Sequence, residues 1–185
     1  VAADQPPAFV GDRVRGFADV ELFVSRAGKS FELLPESLLF GQVPQPPALL
    51  VESMEADVYP RHRPDLADLI DGAMGEGSPF HDCFGYYAQG VGPETASLPV
   101  DWENRLMRIQ NANTDLKVGL CLEPHDLAAS KLAAGREKDW IFVAEMMASN
   151  IVQADVLLQR IASLPVSEDR RNRLVAWVKA RSAGT

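Results

Sequence analysis

Glu55 and Asp57 are spaced for metal-assisted phosphoryl chemistry. In SMEADVYP, Met54, Ala56 and Val58 alternate with Ser53, Glu55, Asp57 and Tyr59, the period of a half-buried strand, so the two carboxylates share one face. Carboxylates at i and i+2 on a strand lie about 6–7 Å apart at the backbone, and their oxygens can converge on one hard cation such as Mg2+ or Mn2+. Such a cation neutralises charge on a triphosphate and orients an attacking hydroxyl; a second metal about 3.5–4 Å away would clamp the attacking and leaving oxygens. Any strand with one wet face shows the same alternation, so the pattern permits this chemistry without requiring it. Glu123, closing a later strand, is the third carboxylate assigned to the metal site. His81, Asp82 and Cys83 are neighbours on one loop and are not expected to converge on a metal. His125, at a helix start, reads as a capping or supporting group rather than a general base.

A second constellation falls in LCLEPHDLAASKLAAGREKDW, from Leu120 to Trp140, with Lys131, Arg136, Lys138 and Asp139 around the junction of two predicted helices. At about 100° per residue with Leu127 as origin, Ala128 falls near 100°, Leu132 near 140° and Lys131 near 40°, so the lysine projects from inside the apolar arc. Gly135 offers a left-handed stop for the first helix, and Glu137 and Asp139 suit the positive first turn of the next. Cation and carboxylate can therefore meet at one junction. The alternative is a lysine that snorkels past Leu127 between two capped helices.

The elements that must position these groups follow an α/β order. Val1 to Gly16, with Pro6, Pro7 and two glycines, reads as extended or disordered. Phe31 to Leu34 reads as a short strand, Glu36 to Phe40 as a helical turn, and Pro44, Pro46 and Pro47 as a stiff loop into the stretch Leu49 to Tyr59. Pro64 fits a first helical position, and Leu66, Leu69, Ile70 and Ala73 form an apolar stripe that stops near Gly75, a crossover-helix candidate. Phe84 to Ala88, Leu106 to Gln110 and Val118 to Leu122 read as strands, the last two joined by a turn over Asn111 to Asp115. The glycine-rich FGYYAQGVGPETA reads as a hairpin, with a phosphate nest backed by Tyr86 or Tyr87 as the competing reading. Helices are expected over Pro124–Ala134, Lys138–Ser149, Ala154–Leu164 and Ser167–Arg181, with Ser167 as the last one's cap. One domain is expected: a small mixed sheet over residues 30–123 and a helical section over 124–185.

The segments FGQVPQPP, SMEADVYPRHRPDLADLIDGAMGEGSPFH, FGYYAQGVGPETASLP and LCLEPHDLAASKLAAGREKDW carry a resemblance. From about Ser37 to Pro165 the chain resembles the bacterial nucleotidyltransferase-like family related to AbiEii-type toxins, relatives of DNA polymerase β with a minimal catalytic core. The resemblance implies Glu55 and Asp57 as the metal-binding catalytic pair, Lys131 as the lysine on the nucleotide phosphates, Asp139 as the later acidic position, and Arg136 and Lys138 as phosphate-flanking cations. It also implies a nucleoside triphosphate substrate, tRNA or a protein as acceptor, and a partner antitoxin. Such enzymes carry a Gly-Ser pair at a strand-to-helix turn that holds the terminal phosphates. Here Pro35 and Glu36 stand in its place and Ser37 is one position late. Proline removes an N–H donor, and Glu36 brings negative charge toward a triphosphate. Either Ser37 and Ser30 substitute in an altered loop, or the fold is catalytically degenerate and acts as a binding or interaction module.

A net charge of −8 opposes extended nucleic-acid binding. Local clusters exist at Arg61, His62 and Arg63, at Arg105 and Arg108, and at Arg170, Arg171 and Arg173. They read either as a grip on one RNA end or as helix ends and ion pairs. The two cysteines, Cys83 and Cys121, make no metal-ligand pattern, and no signal peptide or membrane span is recognisable, so a reducing cytoplasm is expected.

Overall fold

The computed structural model describes residues 22–24, 55–60, 63–110 and 118–183. Among them, the strands Leu22–Val24 (β1), Glu55–Pro60 (β2), Tyr87–Gly90 (β3), Met107–Ile109 (β4) and Gly119–Cys121 (β5) form one mixed sheet in the order β3-β2-β1-β5-β4. β2 runs parallel to β3 and antiparallel to β1, β1 runs parallel to β5, and β4 is antiparallel to β5. The period-two pattern acts as expected on β2, which buries Ala56, Val58 and Pro60 on one face and leaves Glu55, Asp57 and Tyr59 half-buried on the other.

The helix Ala67–Met74 (α1) follows a 3-10 turn over Pro64–Leu66, with Pro64 at its first position, and ends at Gly75. Ile70 is fully buried, whereas Leu69 is half exposed, so the buried stripe is narrower than its sequence indicates. α1 lies directly against β3, as Gly90 allows. A Cβ there would come within 2.1 Å of the Ala67 carbonyl oxygen, and the Gly90 N–H donates to Asp71 Oδ1 at 2.6 Å.

Two expectations are corrected between Ser78 and Gly90. Phe84 does not begin a strand; it ends the helix Pro79–Phe84 (α2). Ser78 caps α2 by accepting from the His81 N–H, Pro79 occupies its first turn, and Gly85 at φ 73° stops it. These local signals outweigh the aromatic β-propensity of Phe84. Nor does the glycine-rich stretch form a hairpin. β3 pairs parallel with β2, with Asp57 opposite Gln89, and the chain leaves through a 3-10 turn at Pro93–Thr95.

The helices Pro124–Ala134 (α3), Glu137–Ala148 (α4), Ala154–Ala162 (α5) and Glu168–Ser182 (α6) close the described chain. They pack around one apolar cluster that includes Leu132, Val143, Leu157, Ile161 and Val178. Gly135 at φ 77° terminates α3, and Arg170 of α6 donates to the carbonyls of Ala133 and Ala134, satisfying the end of that helix from another element. Ser167 caps α6 as expected. The expected elements over 31–40, the proline loop, the first half of the 49–59 stretch and the 111–115 turn lie outside the described residues. No helix among the described residues is long and apolar enough to cross a membrane.

Candidate active site

The half-buried face of β2 forms one wall of a cleft of about 360 Å3. Glu55, Asp57 and Tyr59 stand on it in a row, Gln89 joins from β3, and the segment after β3 adds Gly92, Thr95 and Ser97. Helix α3 also lines it, contributing Leu127, Ser130, Lys131, Ala133 and Ala134, and Arg136 follows from the cap of α4. Two carboxylates and two cations thus line one cavity. The hydrogen bond to Asp139 holds the Arg136 guanidinium above its usual pKa against the opposing effect of burial, and the charges of Asp139, Asp57 and Glu55 add to the rise.

Lys131 projects from the apolar arc as its position requires and is buried. Its Nζ lies 3.6 Å from Asp139 Oδ1 and 4.9 Å from the centre of the Phe142 ring. Asp139, 1% exposed, also accepts from Arg136 Nε at 2.6 Å and from the other end of the guanidinium at 3.2 Å. Burial pushes the Asp139 carboxyl up, but the Arg136 hydrogen bonds and the Lys131 and Arg136 charges outweigh it and hold the group below the usual carboxylate range. Asp139 therefore pairs with both cations and is not among the residues that line the cleft.

Two expected site residues, Glu123 and Lys138, fall elsewhere. Glu123 caps α3, accepting from the backbone N–H groups of His125 and Asp126. Its Oε1 lies 2.5 Å from His125 Nδ1, and His125 Nε2 lies 3.0 Å from both the backbone nitrogen and the side-chain oxygen of Gln153. Burial raises the Glu123 carboxyl, while the His125 hydrogen bond and charge and the two N–H groups bring it below its usual value. Glu123 is therefore an N-cap carboxylate and does not line the cleft with Glu55 and Asp57. Among the described residues no group of three or more His, Cys, Asp and Glu is placed to hold a metal. Lys138 is exposed on the first turn of α4 and does not line the cleft. Ser37, with Ser30, Pro35 and Glu36, lies outside the described residues.

Glu55 and Asp57 nevertheless fit Mg2+ or Mn2+. Magnesium is commonly held by one or two carboxylates, with substrate phosphates and water completing its shell. A family model described as "nucleotidyltransferase of unknown function (DUF6036)" matches residues 52–183, from just before the carboxylate strand to the end of α6. The chain belongs to that family. No curated protein and no solved structure matches it. The family match carries the nucleotidyltransferase assignment without singling out the AbiEii-type toxins.

The arginine clusters are largely committed to structure. Arg105 donates from Nε and a terminal nitrogen to the fully buried Asp126 at 2.8 and 2.9 Å, and Arg160 Nε lies 3.1 Å from the same carboxylate. Arg171 donates to the carbonyls of Leu164 and Val166. Arg63 pairs with Asp65 at the surface. Arg61 and His62 lie outside the described residues. Sequence reasoning did not find Gln89, Thr95, Ser97 or Trp102 as cleft residues. The parallel pairing of β3 onto β2 would have pointed to Gln89, whereas Trp102 has no local signal.

Proposed function

We propose that this cleft transfers a nucleotidyl group from a nucleoside triphosphate to an acceptor hydroxyl. The observation that carries this reading is that Glu55 and Asp57 of β2 line one cavity together with Lys131 and Arg136. Glu55 and Asp57 would hold Mg2+ or Mn2+, which would supply charge neutralisation and orientation of the reacting oxygens. Lys131 meets the phosphates from a poorly solvated position, where each charge-assisted contact is strengthened. Arg136, held by Asp139, offers a planar fork to a second phosphate oxygen. The acceptor oxygen forms a bond to the α-phosphorus as the bond to pyrophosphate breaks, the pyrophosphate keeping the electron pair and solvent taking the hydroxyl proton. The resemblance to AbiEii-type proteins favours a tRNA 3′ end or a protein hydroxyl as acceptor. It also favours a cytoplasmic toxin held in check by an antitoxin partner.

A second reading, a catalytically degenerate module that binds without turnover, is favoured by Pro35 and Glu36 standing where a Gly-Ser pair is expected. One experiment separates the two. Wild type, Asp57→Asn and the Pro35→Gly/Glu36→Ser variant are compared by thermal shift with Mg2+ and each nucleoside triphosphate, and by label transfer to bulk tRNA and protein acceptors. A ligand at about 100 times its Kd stabilises by about 2.7 kcal/mol, and Asp57→Asn is expected to lose the Mg2+-dependent part. An equal Mg2+ gain in wild type and Asp57→Asn places the metal elsewhere. Nucleotide binding without label transfer, even in the Gly-Ser variant, leaves the module.

A further inference from the structure

We infer that the cleft has a nucleobase subsite at the amino-terminal end of α3, with Trp102 as the ring on which the base stacks. This rests on the nucleotide reading above and assigns the two ends of the site. The α3 wall is graded along its axis. Leu127, Ser130, Lys131 and Ala134 stand at i, i+3, i+4 and i+7 and form one stripe along the cleft. At about 1.5 Å per residue, Lys131 lies about 6 Å beyond Leu127, and Arg136 follows past the helix end. The charged end is therefore fixed at the carboxyl terminus of α3 and the apolar end at its first turns.

Trp102 is tied to that apolar end. It opens the 3-10 turn Trp102–Arg105, whose last residue grips Asp126, the neighbour of Leu127, through two hydrogen bonds. The same guanidinium donates to the Val100 carbonyl at 2.9 Å, so the chain is anchored on both sides of the indole. Trp102 is half-buried and lines the cleft together with Leu98 and Leu127. A triphosphate directed to Lys131 and Arg136 places its base toward these three side chains. An aromatic ring accepts every base by its π-face, and a purine covers more of an indole than a pyrimidine does.

The test measures binding of tripolyphosphate and of ATP, GTP, CTP and UTP, each with Mg2+, to wild type, Trp102→Ala and Trp102→Phe by calorimetry. Circular dichroism and Tm confirm that both variants are folded. Trp102→Ala is expected to weaken the nucleoside triphosphates roughly 5- to 150-fold, as loss of one stacking platform does. It should erase a purine preference and leave tripolyphosphate binding unchanged, and Trp102→Phe should restore much of the loss. Nucleotide binding that ignores Trp102, or an equal loss for tripolyphosphate, overturns the subsite alone. A wild type that binds neither tripolyphosphate nor any nucleotide overturns the nucleotide reading and the subsite with it.

Discussion

Replacing Asp139 by alanine removes the carboxylate shared by Lys131 and Arg136, and the two cations do not suffer equally. Arg136 is 57% exposed and regains water, so its lost pair contributes little. Lys131 is 8% exposed at the side chain and would lose a counter-charge in buried surroundings. Removing one partner of a buried pair costs about 3–5 kcal/mol. The 3.6 Å separation is an ion contact longer than a hydrogen bond, and Lys131 can relax into the cleft, so the lower end, about 3 kcal/mol, applies. For a chain of this length about 1 kcal/mol moves Tm by 2–4 °C, and Asp139→Ala should lower Tm by roughly 6–12 °C. In a Lys131→Met background the same substitution should cost less, by a coupling of about 0.5–3 kcal/mol. The pH dependence gives a second readout. Because the folded carboxyl lies below its unfolded value of about 3.9, its stabilisation is complete above that value and is lost as pH falls through the folded one. Asp139→Asn should therefore flatten the acid limb of the stability profile below about pH 4, leaving the part due to Glu123, which is shifted in the same direction. A Tm change under about 2 °C, or full additivity with Lys131→Met, would refute the account of Asp139 as the counter-charge of Lys131.

Asp126→Ala should be more damaging, since it strands Arg105 and Arg160 around a fully buried site; a loss of about 3–5 kcal/mol in urea unfolding is expected, and a loss below 1 kcal/mol would show that the arginines find water instead. Burial pushes the Cys121 thiol up to about 12, while Cys83 is exposed, so iodoacetamide at pH 8 should label Cys83 alone until urea unfolds the chain; mass spectrometry showing native labelling of Cys121 would contradict the burial of β5.

The readable parts of the fold were those written in local signals. β2 declared itself through strict alternation, α3 through Pro124 and Gly135, and α6 through Ser167, each with its own period or cap. β1 did not, and no element was assigned to Leu22–Val24. Three residues are too few to show a period, and the strand exists because β2 and β5 pair with it on either side. The place of Glu123 is hard to read for the same reason. Its sequence position before a helix is equally that of a metal carboxylate at a strand end and of an N-cap, and only the approach of His125 and its backbone N–H decides between them. For Lys138 the resemblance supplied a role that the turn of α4 does not support, because the residue falls on the solvent side while Arg136, two positions earlier, reaches the cleft.

The anomaly that first marked Lys131, a cation inside an apolar arc, has a physical cause in how α3 is used. Ala128, Ala129 and Leu132 belong to the helical core, Ala133 belongs to it and also touches the cleft, and Leu127, Ser130, Lys131 and Ala134 line the cleft on an arc centred about half a turn away. An arc drawn from Leu127 to Leu132 thus spans two environments, one dry and the other facing the carboxylates of β2. Small residues at 128, 129 and 133 let α3 approach the core closely on one side, and the long lysine bridges from the helix toward Asp139 and Phe142 on the other. The helix that completes the hydrophobic core is also the one that brings a cation to the carboxylates, so substitutions in its core face, such as Leu132→Ala, act on the site through the position of Lys131 as well as through stability.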